Sequence, residues 1–121
     1  MTKATIYHNP SCSKSRSSLD ILQNQEDLEI EEVRYLEQTP SKETLKTLCA
    51  SMSISPFEII RTGEALFKEL GLSKIDQKTD DEWLEILVSH PKLIERPIIQ
   101  IGDKVVLGRP PEKILTILPK S

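Results

Sequence analysis

The hydrophobic period of this chain switches twice within its first 36 residues, and that switch constrains the fold more than any other feature. The run from Ala4 to Tyr7 is rich in β-branched and aromatic residues and reads as a strand. His8-Asn9-Pro10-Ser11 breaks it, because Pro10 has no backbone donor and disfavours continuation. A helix is predicted from Ser13 to Gln25, with Leu19 and Leu22 on one face, and a second strand from Ile30 to Leu36. Strand, helix and strand at this spacing form a βαβ unit, which is parallel with a right-handed crossover.

The middle of the chain is helical. Ser41 is placed to cap a helix reaching Met52, on which Leu45, Leu48, Cys49 and Met52 fall at i, i+3, i+4 and i+7. Ser55-Pro56-Phe57-Glu58 has a capping-box pattern with proline at the first helical position, predicting a short helix that ends near Arg61. Glu64 to Leu70 adds another helical turn or two, closed by Gly71. A second capping box, Thr79 to Glu82, opens a helix carrying Trp83, Leu84, Leu87 and Val88, which must end before Pro91.

The last third returns to strands. Pro97 to Ile101 and Lys104 to Leu107 flank Gly102-Asp103, a two-residue hairpin turn. Pro110-Pro111-Glu112 then starts a C-terminal helix with Ile114, Leu115 and Leu118. The order is βαβ, a helical insert over about 40–92, then ββα. A parallel unit plus an antiparallel hairpin gives an α/β fold with a mixed four-stranded sheet. This is the thioredoxin-like plan, and it places residues 1–121 in a single domain.

Composition removes several function classes. Sixteen Lys and Arg stand against nineteen Asp and Glu, a net charge of −3, so nothing draws the chain as a whole to nucleic acid. Any anion site must be a local arrangement of basic groups. No apolar run approaches the roughly 20 residues that span a bilayer, and the N-terminus has no signal-peptide pattern. Two cysteines do not make a disulfide framework, and two cysteines with two histidines give no zinc spacing. The expectation is a cytoplasmic protein with reduced thiols, no bound metal or cofactor, no membrane contact and no oligomer.

The chemistry centres on Cys12, at the junction of the first strand and first helix. Unpaired N–H groups and the positive end of the helix dipole favour a thiolate there. The same groups can hold an oxyanion beside the sulfur. Lys14 and Arg16 add positive charge, and His8 is a further candidate for it. The plainer reading, a small buried apolar residue, fits poorly with the Ser, Pro and Lys around it. Cys49 reads the other way, as a structural thiol on an apolar helix face. Cys12-Ser13-Lys14-Ser15 is not a Cys-x-x-Cys pair, and Ser15 cannot resolve a sulfur-linked intermediate, so an external thiol must do so.

Arg16, Arg61, Arg96 and Arg109 have the planar, always-charged donors that suit a tetrahedral oxyanion. Spacing alone reads each more readily as a solvated surface residue. Pro97 opens the third strand, where thioredoxin-like architectures place a proline, typically cis, against the reactive sulfur. His8 could bond near the thiolate or order the loop. His90 reads as a helix C-terminal dipole partner and Trp83 as packing.

Four segments carry a resemblance: Ile6-Tyr7-His8-Asn9-Pro10-Ser11-Cys12-Ser13-Lys14-Ser15-Arg16; Tyr35-Leu36-Glu37-Gln38-Thr39-Pro40; His90-Pro91-Lys92-Leu93-Ile94-Glu95-Arg96-Pro97-Ile98; and Leu107-Gly108-Arg109-Pro110-Pro111-Glu112. In these the chain resembles the ArsC family of glutaredoxin-dependent arsenate reductases, over essentially its whole length. The resemblance implies a thioredoxin-like fold with a helical insert and a catalytic Cys12. It also implies substrate-binding arginines at Arg61, Arg96 and Arg109, with His8, Ser15, Arg16 and Pro97 in support. It implies arsenate as substrate, glutathione as co-substrate and glutaredoxin as partner. The chain is most similar to the shorter, chromosomally encoded members. Two other readings share the architecture: an Spx-like redox regulator that binds RNA polymerase, for which Ser15 is the wrong residue, and a thiol reductase for another oxyanion or a mixed disulfide.

Overall fold

Alternation along the first strand settles which side of the sheet becomes a core. Ala4 and Ile6 are fully buried and share a face with Ile99 and Ile101, their antiparallel partners across the sheet. The computed structural model describes residues 2–73, 77–95, 97–108 and 111–118. Its strands are β1 (Thr2–His8), β2 (Leu28–Arg34), β3 (Ile98–Ile101) and β4 (Lys104–Leu107). Its α-helices are α1 (Ser13–Gln23), α2 (Lys42–Met52), α3 (Ala65–Glu69) and α4 (Asp80–Ser89), with 3-10 turns at Pro56–Ile59, Pro91–Leu93 and Pro111–Thr116. The chain divides into two compact units, residues 1–38 with 96–121 and residues 39–95.

In the first unit the sheet order is β2-β1-β3-β4. β1 runs parallel to β2, while β3 is antiparallel to both β1 and β4. This is the mixed four-stranded sheet read from the βαβ and ββα patterns. Gly102 makes the β3–β4 turn in the left-handed region, at φ 62°, where a side chain would be strained. Leu22 of α1, Ile114 of the Pro111–Thr116 turn and Ile117 just after it share one core cluster with Ala4, Ile6, Ile99 and Ile101.

Two elements of this unit differ from the sequence reading. β2 lies two residues earlier than Ile30–Leu36. Its parallel register pairs Thr2 with Leu28 and ends by pairing His8 with Arg34. The Arg34 carbonyl then accepts from the N–H groups of Glu37 and Gln38, at 2.9 and 2.8 Å, which turns the chain. Tyr35 is buried by that turn rather than by a strand. The C-terminal helix is a 3-10 segment, Pro111–Thr116, that buries Ile114, and the Ile117 N–H just after it donates to the Ile114 carbonyl at 3.1 Å.

The second unit is helical and its caps follow the sequence. The Ser41 hydroxyl accepts from the Thr44 N–H at 3.1 Å. Thr79 and Glu82 form a reciprocal capping box. The Ser55 N–H donates to the Glu58 carboxylate at 2.8 Å, but the segment it starts is a 3-10 turn ending at Ile59. Leu45, Leu48, Leu84 and Leu87 are buried, and Phe57 meets Trp83 with ring centroids 4.9 Å apart. An isolated antiparallel bridge joins Ile60 to Ile94, flanked by bonds from Arg61 N–H to the Leu93 carbonyl and from Glu95 N–H to the Ile59 carbonyl.

Candidate active site

The loop between β1 and α1 is built by short-range hydrogen bonds that its sequence makes inevitable. Asn9 starts a tight turn: its side-chain Oδ1 accepts from the Ser11 N–H at 3.0 Å and its carbonyl from the Cys12 N–H at 2.9 Å. Arg16 reaches back from the first turn of α1 and donates through Nη1 to the Pro10 carbonyl at 2.9 Å. Its own N–H donates to the Cys12 carbonyl at 3.0 Å. Cys12 is thereby fixed as the N-cap of α1, in extended backbone conformation and partly exposed.

No side chain caps α1 from Cys12, and its first turn contains no acidic residue. The N–H groups of Ser13, Lys14 and Ser15 are the first-turn donors that a helix start turns toward an anion. The loop donors of Ser11 and Cys12 are committed to Asn9.

Beneath the loop lies a buried polar relay. The Ser15 hydroxyl is 2.7 Å from His8 Nδ1 and accepts from the Asn9 N–H at 3.0 Å. His8 is 4% exposed and Ser15 fully buried. The Nε2 edge of His8 faces the Glu32 carboxylate at 3.8 Å. The consistent assignment places the ring proton on Nε2 and has the Ser15 hydroxyl donating to Nδ1. Burial holds the imidazole below its ordinary 6.5, Glu32 opposes that, and the Arg34 and Arg16 guanidinium groups reinforce it. His8 is therefore neutral near pH 7. It orders the loop and does not add the positive charge the sequence reading allowed.

The remaining candidates separate clearly. Cys49 is 2% exposed on α2, and burial pushes its thiol up to about 11, with Asp80 and Glu58 adding to the effect. It is a structural thiol at neutral pH, as its apolar spacing indicates. Arg61 sits in the helical unit with its charge balanced: Nη1 donates to Glu64 at 3.0 Å and Nε lies 3.8 Å from Glu95. Glu64 was legible as an i, i+3 partner, whereas Glu95 is brought there by the Ile60–Ile94 bridge. Arg96 and Arg109 lie outside the described residues. Pro97 is buried, and its carbonyl accepts from the Gly108 N–H at 2.9 Å. His90 forms the C-cap of α4 through its N–H to the Ile86 carbonyl. Among the described residues, no three His, Cys, Asp or Glu side chains converge as metal ligands. Sequence reasoning missed Asn9, though an Asx turn before Pro-Ser is a recognisable signal.

Comparison with known proteins places this loop in context. The model of the ArsC family matches residues 7–117. An arsenate reductase of Escherichia coli strain K12 is 40% identical over 121 residues, covering all of this chain and 84% of the relative. The protein YfgD of the same strain, of unassigned function, is 41% identical over 120 residues, covering 98% and 99% of the two chains. The solved structure of an arsenate reductase from Vibrio cholerae superposes with a TM-score of 0.89 at 42% identity, covering 97% of this chain and 98% of the other.

Proposed function

We propose that this chain, which belongs to the ArsC family, is an arsenate reductase that works through Cys12. The observation carrying this reading is the partly exposed thiol at the N-cap of a helix whose first turn holds no acidic residue, backed by a hydrogen-bonded loop. Cys12 attacks arsenic, an arsenate oxygen leaves as water, and a sulfur–arsenic(V) bond forms. The first-turn N–H groups oppose the oxyanion charge.

Reduction needs two electrons and therefore two thiols, which end as a disulfide while arsenic(V) becomes arsenic(III). This chain supplies no ready second thiol. Ser15 occupies the resolving position, and Cys49 is buried with its thiol raised to about 11. Glutathione as co-substrate and glutaredoxin as partner fit that gap: glutathione displaces a second arsenate oxygen as water, the glutaredoxin thiol takes the glutathione sulfur as a mixed disulfide and leaves the electron pair on arsenic(III), and water then releases arsenite from Cys12. Arg96 and Arg109 are assigned to the arsenate oxygens on the strength of the ArsC resemblance, and Arg61 with them. The reading places a monomer in the cytoplasm. Among the described residues, no helix is long and apolar enough to cross a membrane.

A coupled assay tests this directly, with arsenate, glutathione, glutaredoxin and its reductase, following NADPH. Wild-type protein and Cys49→Ala should turn over, and Cys12→Ser should not. Arg96→Ala and Arg109→Ala should each raise the KM for arsenate at least tenfold with melting temperatures within a few degrees of wild type. Turnover by Cys12→Ser, or wild-type arsenate kinetics in both arginine variants, would remove the assignment.

A further inference from the structure

Gly108 closes β4, and its backbone is not in the left-handed region, so conformation does not explain the glycine. Space does. A Cβ at this position would lie 2.6 Å from Ser18 Oγ, 2.7 Å from Pro97 Cγ and 2.9 Å from Ile99 Cδ1. The first is a hydroxyl held by its bond to the Lys14 carbonyl and the second belongs to a closed ring. Gly108 and Ser18 are both buried, Ser18 completely. The Ser18 hydroxyl donates to the Lys14 carbonyl of its own helix at 2.9 Å, which satisfies it without reaching across the contact. The buried stripe of α1 thus begins with two serines, Ser15 and Ser18, before Leu22. The second leaves a flat, small surface against which the β4 backbone rests. The Gly108 N–H donates to the Pro97 carbonyl at 2.9 Å, tying the start of the β3 segment to the same point.

Three chain segments therefore meet at one place, where the side chains of Ser18 and Pro97 close on a residue that has none. One is the helix that begins after Cys12. The other two adjoin arginines in sequence, since Arg96 precedes Pro97 and Arg109 follows Gly108. We propose that the Ser18–Gly108–Pro97 contact is a positioning joint for oxyanion binding, setting where the chain runs into both arginines relative to the Cys12 helix. Ser18 and Gly108 are positioning residues: neither needs to touch arsenate. The proposal rests on the arginine assignment made above and adds the device that fixes it. A methyl group at 108 must push α1, the proline or the strand apart by several tenths of an ångström. Binding of a small tetrahedral anion by paired donors is sensitive to displacements of that size.

The test measures two properties of Gly108→Ala: the KM for arsenate, and the slowing of Cys12 iodoacetamide alkylation by arsenate or sulfate. The expected result is a KM raised at least tenfold with kcat within threefold, anion protection weakened similarly, and an alkylation rate without anion that is unchanged. Adding Ser18→Ala removes the atom nearest the new methyl and should recover at least threefold of the loss. Circular dichroism and melting establish that each variant is folded. Should Gly108→Ala fold poorly, Ile99→Val beside it opens space from the third side, and the rescue is read in that background. Wild-type KM and protection in a folded Gly108→Ala overturn the joint while leaving the arsenate reading intact. So does a loss that Ser18→Ala does not relieve. A wild-type Cys12 that no oxyanion protects overturns the arsenate reading itself, and the joint with it.

Discussion

Ser15 shows how much one hydroxyl organises. It accepts from the half-buried Asn9 and donates to the buried His8. Ser15→Ala strands the His8 Nδ1 acceptor and the Asn9 donor, at a cost of about 1–3 kcal/mol. It should lower the melting temperature and reduce arsenate turnover, and a thermal melt beside the coupled assay checks both. Apart from the supporting place that the ArsC resemblance gives it, Ser15 is legible in the sequence as something it is not, the second cysteine of a redox pair. Its structural use depends on His8 turning inward, which a single histidine at a strand end does not reveal. The depressed His8 value carries a pH signature. Below the ordinary 6.5 the unfolded chain takes up a proton that the native chain refuses. Stability from this group is complete above 6.5 and is lost as pH falls toward the native value. Melting temperature should therefore drop between pH 7 and 5, and the drop should be shallower in His8→Gln.

At the scale of elements, the caps were the most legible signals because their chemistry is local. Ser41, Thr79 and Glu82 do in the structure what their spacing implies. The strand boundaries of β2 were not legible, since they are set by register against β1 and by the turn that consumes the Arg34 carbonyl. Local composition put Tyr35 in a strand because tyrosine suits one, and burial in a turn satisfies it equally well. The 3-10 winding of the last segment is also a packing outcome. One element end is strained: Ser53 closes α2 at φ 58°, ψ 40°, with the Ile54 N–H bonded to the Cys49 carbonyl. That is the conformation glycine adopts without steric cost. Ser53→Gly should stabilise the protein by roughly 0.5–1 kcal/mol, read as a rise in melting temperature with arsenate kinetics unchanged.

At the scale of the whole molecule, a net charge of −3 offers an anionic substrate no general attraction. Binding must come from the helix start and from individual cations. The helix start was legible, because a strand, a proline break and a helix fix where Cys12 falls. The arginines were not legible from spacing, since isolated arginines pattern like surface residues. Only the ArsC motifs single them out, and Arg61 proves to be engaged with Glu64 and Glu95. Gly108 was invisible for a different reason: a glycine before Arg-Pro reads as a strand terminator, and its tight contact with Ser18 exists only in three dimensions. The account stands on Cys12 being the reactive thiol and an oxyanion sitting beside it. Mass-spectrometric mapping of iodoacetamide labelling at pH 7.5, with and without arsenate, measures both together. The account predicts that Cys12 is labelled well before Cys49 and that arsenate slows Cys12 labelling alone. Preferential labelling of Cys49, or Cys12 labelling indifferent to arsenate, would contradict it.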